Sequence, residues 1–405
     1  PAVSGAVPAP AVPGAVPAPA VSGAVPAPAV PGAVPAPAAP TARPSLSLEL
    51  FPPRPGRHVT QTWGALDRLL GTRPDFASVT YRPSFVTSGT SDLGSPGRPD
   101  GPGGSRSANT PESTGNATGT RMHVHVRRER NPAEDVVAHV LATSAVPLMA
   151  HLTCIGYRKA SVVEIVRAFL DMGVRRFLAL RGDPPRGFAA EDVAGELPHA
   201  DDLVRVIREV EADYFDDGAR HLQVAVAAYP ADIDHGTGIE VLAAKQAAGA
   251  DLAITQVFYD PEDYLALRRA ALYSGVTMPI LPGIIPLTDL KRLTRLEALT
   301  GVCVPADLVR TLERSDGVAA AAAGIDATLT LASAVLDGGA PGVHLYTFNR
   351  VRPALDVISH LRLGGILNGS TPDTAVQREV RRDYLNATPG GDRGPSARMP
   401  GATRP

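Results

Sequence analysis

Eight short apolar runs alternate with amphipathic stretches along most of this chain, and that alternation restricts its fold more than any other feature. The runs are LSLELF (46–51), FASVTY (76–81), PLMAHLT (147–153), RFLALRGD (176–183), LQVAVAAYP (222–230), DLAITQVF (251–258), PILPGI (279–284) and GVHLYTF (342–348). Helix-like stretches lie between them, at Thr60–Leu70, Pro132–Ala142, Ser161–Asp171, Asp201–Glu211, Ile239–Ala248, Pro261–Tyr273 and Thr288–Leu299. Strands this apolar need cover on both faces, and parallel neighbours need long crossovers, which helices supply. The pattern predicts an α/β fold, the (β/α)8 or TIM barrel, over residues 44–368. A doubly wound open sheet satisfies the same spacing and is the alternative.

Three segments fall outside the pattern. Residues 1–43 hold a nonapeptide repeat in which PAVSGAVPA alternates with PAVPGAVPA. Each proline removes an amide donor and clashes with a preceding helical turn, so a disordered, partly polyproline-II arm is expected. A secretory signal would need a cationic start and an unbroken apolar core, and the repeat has neither. Residues 84–121 are rich in Gly, Ser, Thr and Pro and predict a long disordered insertion after the second strand. Residues 369–405 predict a largely disordered extension.

The charge balance, 39 Lys and Arg against 41 Asp and Glu, gives no basic excess for nucleic acid or an anionic membrane. The two cysteines, Cys154 and Cys303, make no disulfide framework and fit a reducing, cytoplasmic setting. No run of about 20 apolar residues is free of charge or proline, so no membrane span is expected. Homo-oligomer formation is left open.

In a (β/α)8 barrel, chemistry sits at the C-terminal ends of the strands. Those ends carry Glu49, Thr80-Tyr81, His151, Arg181-Gly182-Asp183, Tyr229, Gln256 and Tyr346, with Asn349-Arg350 just beyond. Glu49 alternates with leucines in SLSLEL and so shares a face with Ser45 and Ser47. On an inward face, partial dryness disfavours its charged form and keeps it a proton donor. Asp183, beside Arg181 and a glycine, is expected to stay ionised, which divides proton donor from charge stabiliser. The HVH at 123–125 offers two imidazoles without a third ligand at metal spacing. No Gly-x-Gly-x-x-Gly follows any strand.

Taken together, LELFPPR, SVTY (78–81), AHLTC (150–154), LALRGDPP (178–185), VAAYP (226–230), AGADLAITQVFYD (248–260), PILPGIIPLTD (279–289) and HLYTFNR (344–350) resemble the 5,10-methylenetetrahydrofolate reductase family. The resemblance runs from about Ser45 to Leu363, with the pieces in family order. It implies a barrel that reduces methylenetetrahydrofolate to 5-methyltetrahydrofolate, feeding methionine synthesis, with hydride passed from NADH or NADPH through FAD. Glu49 is then the acid that protonates the bridging nitrogen of the folate. Asp183 stabilises the resulting iminium and tunes the flavin, Gln256 meets the pterin, and Arg350 pairs with the glutamate tail. Thr80, Tyr81, His151, Arg181, Gly182, Ala200, Tyr229 and Lys245 match positions around the flavin.

Departures accompany the match. Gly238, Val241 and Ala244 stand where the family carries Asp, Asn and Arg toward the FAD ribose and phosphates, and of that set only Lys245 remains. Arg292 replaces a glutamine on the folate side, and Leu296 replaces an aromatic. Direct hydride transfer from NADH to folate, without flavin, is therefore the alternative mechanism. A barrel aldolase would want a Schiff-base lysine at a strand end, and none of the eight runs has one. Arg-Gly-Asp and the elastin-like repeat raise an adhesion protein as a further alternative, against which stand the buried strand before the motif and the lack of an export signal. A folate-binding protein without catalysis is separable only by assaying turnover.

Overall fold

The computed structural model describes residues 44–53, 59–81, 84–88, 123–127, 131–185, 187–189, 192–193, 195–232 and 235–367. The repeat at 1–43, most of the 84–121 insertion and the extension at 369–405 lie outside the described residues.

Nine parallel strands form one sheet in the order β10-β11-β1-β2-β5-β6-β7-β8-β9. They are β1 (Ser45–Leu50), β2 (Phe76–Val79), β5 (Leu148–Thr153), β6 (Arg176–Leu180), β7 (Gln223–Ala228), β8 (Leu252–Thr255), β9 (Ile280–Leu281), β10 (Gly283–Ile284) and β11 (Gly342–Tyr346). The expected seventh strand, PILPGI, is two short strands parted by Pro282, which has no amide to donate. β9 pairs with β8 and β10 with β11, so the two ends of the sheet meet at that proline. Eight strand positions around a ring result, and the open-sheet alternative falls away.

Around the ring lie α1 (Val59–Leu70), α2 (Pro132–Thr143), α3 (Lys159–Asp171), α4 (Ala200–Phe215), α5 (His235–Ala247), α6 (Pro261–Tyr273), α7 (Leu290–Thr300), α8 (Ala306–Arg314), α9 (Gly317–Asp337) and α10 (Val351–Leu363). Local chemistry starts several of them. Asn131 accepts the Ala133 amide and precedes Pro132; Asp260 accepts the Glu262 amide and precedes Pro261. An acceptor followed by proline satisfies one orphan donor and removes another. Among the described residues, α9 is the one helix long and apolar enough to cross a membrane; here Thr328, Leu331, Ala332 and Val335 of its inner face are buried.

Alternation sorts the strand residues into two cores. Leu46, Leu48 and Leu50 join the large outer core beneath the helices. Phe76, Met149, Leu178, Ala225, Leu252, Ile254 and Leu281 fill the inside of the ring. Ser47 lies on the inner parity and hydrogen-bonds His344 Nδ1 at 2.8 Å.

The insertion departs from its expected disorder at one edge. Ser84–Ser88 form β3, antiparallel to β4 (His123–Arg127). Phe85 packs with Ile155, Phe188 and Val193, so burial of an aromatic ring gives this stretch an anchor that its composition concealed.

On the face away from the site, Arg208 of α4 joins three segments. It donates to Glu211 Oε2 (2.6 Å), Leu222 O (3.0 Å) and Gly249 O (2.8 Å), and it also bonds Asp251. Glu211 Oε1 in turn accepts the His221 and Leu222 amides, and Asp251 accepts the Val224 amide.

Gly283 sits at the seam. A Cβ there would run into the Thr255 carbonyl oxygen and the Tyr346 ring. Gly283→Ala is expected to cost about 3 kcal/mol, since the oxygen belongs to a strand that cannot retreat. Urea denaturation checks it, and an unchanged midpoint would mean that the seam has slack.

Candidate active site at the barrel mouth

Glu49 points into the ring and is 7% exposed. Thr80 Oγ1 donates to its Oε1 at 2.8 Å, and His151 Nδ1 lies 3.8 Å from the same oxygen. Burial drives His151 down to about 3, so the ring is neutral at any working pH and sets no cation beside the acid. His151 Nε2 is buried and makes no hydrogen bond among the described residues. The Glu49 backbone is fixed too, because Thr347 Oγ1 donates to its carbonyl oxygen at 2.6 Å.

Arg181, Gly182 and Asp183 lie just past the end of β6 rather than inside it. The Arg181 carbonyl accepts the amides of Cys154 (3.2 Å) and Ile155 (2.9 Å), which ties this turn to the end of β5. Gly182 has φ +86°, and a Cβ there would press on Thr153 and Ile155 at 2.9 Å. Glycine is therefore required twice, for its left-handed backbone and for close packing. Asp183 is exposed at the mouth. Partial burial, with Asp183 and Asp232 nearby, raises the Tyr229 phenol. Gln256, just past β8, is half-buried; its Oε1 accepts the Val257 amide at 2.9 Å, which leaves its NH2 as donor.

Lys245 reaches back from α5, donates to Ala227 O at 2.8 Å and lies 5.7 Å from the Tyr229 ring centroid. Burial lowers its ammonium to about 8. Ala200 is the first residue of α4 and is buried at its start. Tyr81 does not share the mouth: its ring is buried in the outer core, edge-on to Phe169 at 6.0 Å. Strand parity explains this, since Tyr81 falls on the outward side after Val79.

Across the mouth, Arg350 Nη1 meets Asp289 Oδ2 at 3.2 Å, and Arg292 packs over Phe348 with its guanidinium 4.9 Å from the ring centroid. Sequence reasoning passed over Asp289, Phe51 and Phe348, which assemble this corner. The one available signal was Asp289 preceding a helix, a cap pattern that says nothing about two arginines.

A sequence model of the methylenetetrahydrofolate reductase family matches residues 114–362. A probable methylenetetrahydrofolate reductase (NADPH) of Caenorhabditis elegans is 32% identical over 234 residues, 57% of this chain and 34% of that protein. The 5,10-methylenetetrahydrofolate reductase of Escherichia coli K12 is 27% identical over 312 residues, 76% of this chain and 86% of that one. A probable methylenetetrahydrofolate reductase (NADH) of Oryza sativa is 28% identical over 333 residues, 78% of this chain and 48% of that protein. The chain thus spans about a third of the nematode relative and most of the bacterial one. A family match over more than half the chain, on a closed (β/α)8 barrel, shows that this chain belongs to the methylenetetrahydrofolate reductases, a family of oxidoreductases.

Proposed function

We propose that this chain reduces 5,10-methylenetetrahydrofolate to 5-methyltetrahydrofolate, with NADH or NADPH as the source of hydride. The observation that carries this reading is Glu49, a carboxyl buried at the mouth, held by a hydroxyl and flanked by a neutral imidazole. Such an acid can deliver a proton to the folate's bridging nitrogen and open the five-membered ring. Asp183 supplies negative charge to the iminium that forms, the Gln256 NH2 faces the pterin, and Arg350 takes the tail carboxylate.

The residues present suit one end of FAD better than the other. At the ring end, the buried His151 Nε2 without a partner, Thr80 and the close-packed Gly182 turn offer a polar wall for a flat heterocycle. At the nucleotide end, the Lys245 ammonium is engaged with the Ala227 carbonyl. Gly238, Val241 and Ala244 share one stripe of α5 at three-residue spacing, and Val241 is exposed there without a hydrogen-bonding group. FAD, if held there with Thr80, His151 and the Gly182 turn against its ring and Lys245 toward its nucleotide end, would supply a hydride relay between nicotinamide and folate. The bare stripe on α5 favours a second reading, in which nicotinamide and folate meet directly in the same mouth.

An absorbance spectrum from about 300 to 550 nm, followed by NADH and then methylenetetrahydrofolate, separates the readings. Flavin bands that bleach with NADH and recover with folate support the relay. A colourless protein that consumes NADH only with folate present supports direct transfer. A colourless, inactive protein would sink the reductase reading.

A further inference from the structure

The inside of the ring is polar on one side. Inward polar side chains come from four neighbouring strands: His344 from β11, Ser47 and Glu49 from β1, Ser78 from β2 and His151 from β5. β6, β7 and β8 complete the ring with Leu178, Ala225, Leu252 and Ile254. On the polar side, Ser78 Oγ, His151 Nε2 and His344 Nε2 are buried and have no hydrogen-bond partner among the described residues. Burying such atoms is costly until something completes them. His151 Nε2 is already assigned to the ligand at the mouth. His344 pairs in register with Ser47, two residues below Glu49, and Ser78 pairs with Glu49 itself.

The surroundings define what fits at Ser78 and His344. His344 Nδ1 bonds Ser47 Oγ at 2.8 Å, and Ser47 Oγ donates to the Val343 carbonyl at 3.4 Å. Ser47 has one hydrogen to give, so Nδ1 carries the imidazole proton and Nε2 is a bare acceptor. Burial, with His151 nearby, keeps the ring neutral and pushes it down to about 3. Phe76 stacks at 6.1 Å and Tyr346 makes a T-shaped contact at 5.1 Å, and both stop the ring from turning Nε2 elsewhere. Ser47, Ser78 and Ala225 are small where barrel interiors usually carry Val, Ile or Leu, which leaves room. Among the described residues no three ligating side chains gather for a metal ion. The missing partner is a small neutral group that both donates and accepts, and water meets that need.

We propose that Ser78 and His344 hold a structural water beneath Glu49 and are positioning residues for that acid. The water donates one hydrogen to His344 Nε2 and accepts the Ser78 hydroxyl hydrogen, so its second hydrogen points at the Glu49 carboxyl. Glu49 becomes a buried carboxylate as its proton leaves. A fixed dipole aimed at that charge lowers the barrier without changing ground-state binding. The water site rests on geometry; its effect on rate rests on the reductase reading.

Oxygen-17 relaxation dispersion of the full chain counts internal waters that outlast tumbling, and Ser78→Ala is expected to hold one fewer than wild type. Ser78→Ala and His344→Leu should each lower kcat for folate-dependent NADH oxidation by about tenfold and leave KM within about twofold. His344→Gln keeps an acceptor at that reach and should keep most of the rate. The double variant should fall no further than the poorer single, since one water serves both residues. An unchanged water count, equal losses in His344→Gln and His344→Leu, or losses that multiply in the double variant would each overturn the site. Should Ser78→Ala fail to fold, a high-resolution crystal structure of the wild type decides. An oxygen within about 3.2 Å of both Ser78 Oγ and His344 Nε2 supports the site, and its absence there overturns it. A wild type without turnover that still loses one water on Ser78→Ala would sink the reductase reading and keep the site.

Discussion

Glu49→Gln is expected to lower folate-dependent NADH oxidation by about a thousandfold while the protein stays folded. The substitution keeps the shape of the side chain. Thr80 Oγ1, which donates to Glu49 Oε1 at 2.8 Å, can donate to an amide oxygen equally well. What disappears is the transferable proton, and no neighbour supplies a replacement. The His151 ring lies 3.8 Å away and burial holds it neutral down to about pH 3, while the Tyr346 hydroxyl is committed to the Thr255 carbonyl. Stopped-flow absorbance at 340 nm reads the loss directly. If flavin is bound, its bleaching by NADH should survive, because that half of the reaction needs no acid at the folate nitrogen. Retention of more than a tenth of the wild-type rate would remove Glu49 as the proton donor.

Arg208→Ala is expected to destabilise the fold by about 3–5 kcal/mol. The side chain of Glu211 is only 4% exposed, and its partner Arg208 is 13% exposed. Removing the guanidinium strands that carboxylate in a dry site, frees the Leu222 carbonyl and leaves the Gly249 carbonyl with the longer 3.2 Å bond from Arg220. The two backbone amides that Glu211 still accepts soften the loss without cancelling a buried charge. Urea denaturation followed by far-UV circular dichroism measures it. A change under about 1 kcal/mol would mean that water reaches Glu211 and screens it.

The ring was legible because parallel strands buried on both faces leave continuous apolar runs, and helices on a curved sheet leave 3.6-residue stripes. Pro261–Tyr273 was read to the residue because Asp260 and Pro261 mark its start. Other features lay out of reach. Pro282 breaks the seventh strand between two ladders, and only knowing both neighbours shows that the break costs no pairing. β3 and β4 are short and far apart in sequence, so no turn signal joins them. The alanine-rich run at 319–323 does read as helical, and it lies in α9, but it has no stripe to say which face is buried. In the site, strand ends were located by composition, but facing direction was not: Glu49 and Tyr81 both follow apolar runs, and one turns inward while the other turns out. The Asp289 corner depends on two arginines 58 residues apart meeting one acid, which only the folded chain reveals.

The register of β1 on β11 has a consequence for how the protein is made. Ser45 lies opposite Gly342 and Glu49 opposite Tyr346, so the first strand must wait for nearly three hundred further residues before that edge is covered. At roughly 5–20 residues per second of synthesis, the wait is on the order of 15–60 s. Throughout that interval the nascent sheet presents an unpaired strand of alternating leucines, a template for any other extended chain. The edge that carries Glu49 is thus, for most of translation, an open strand that calls for chaperone cover.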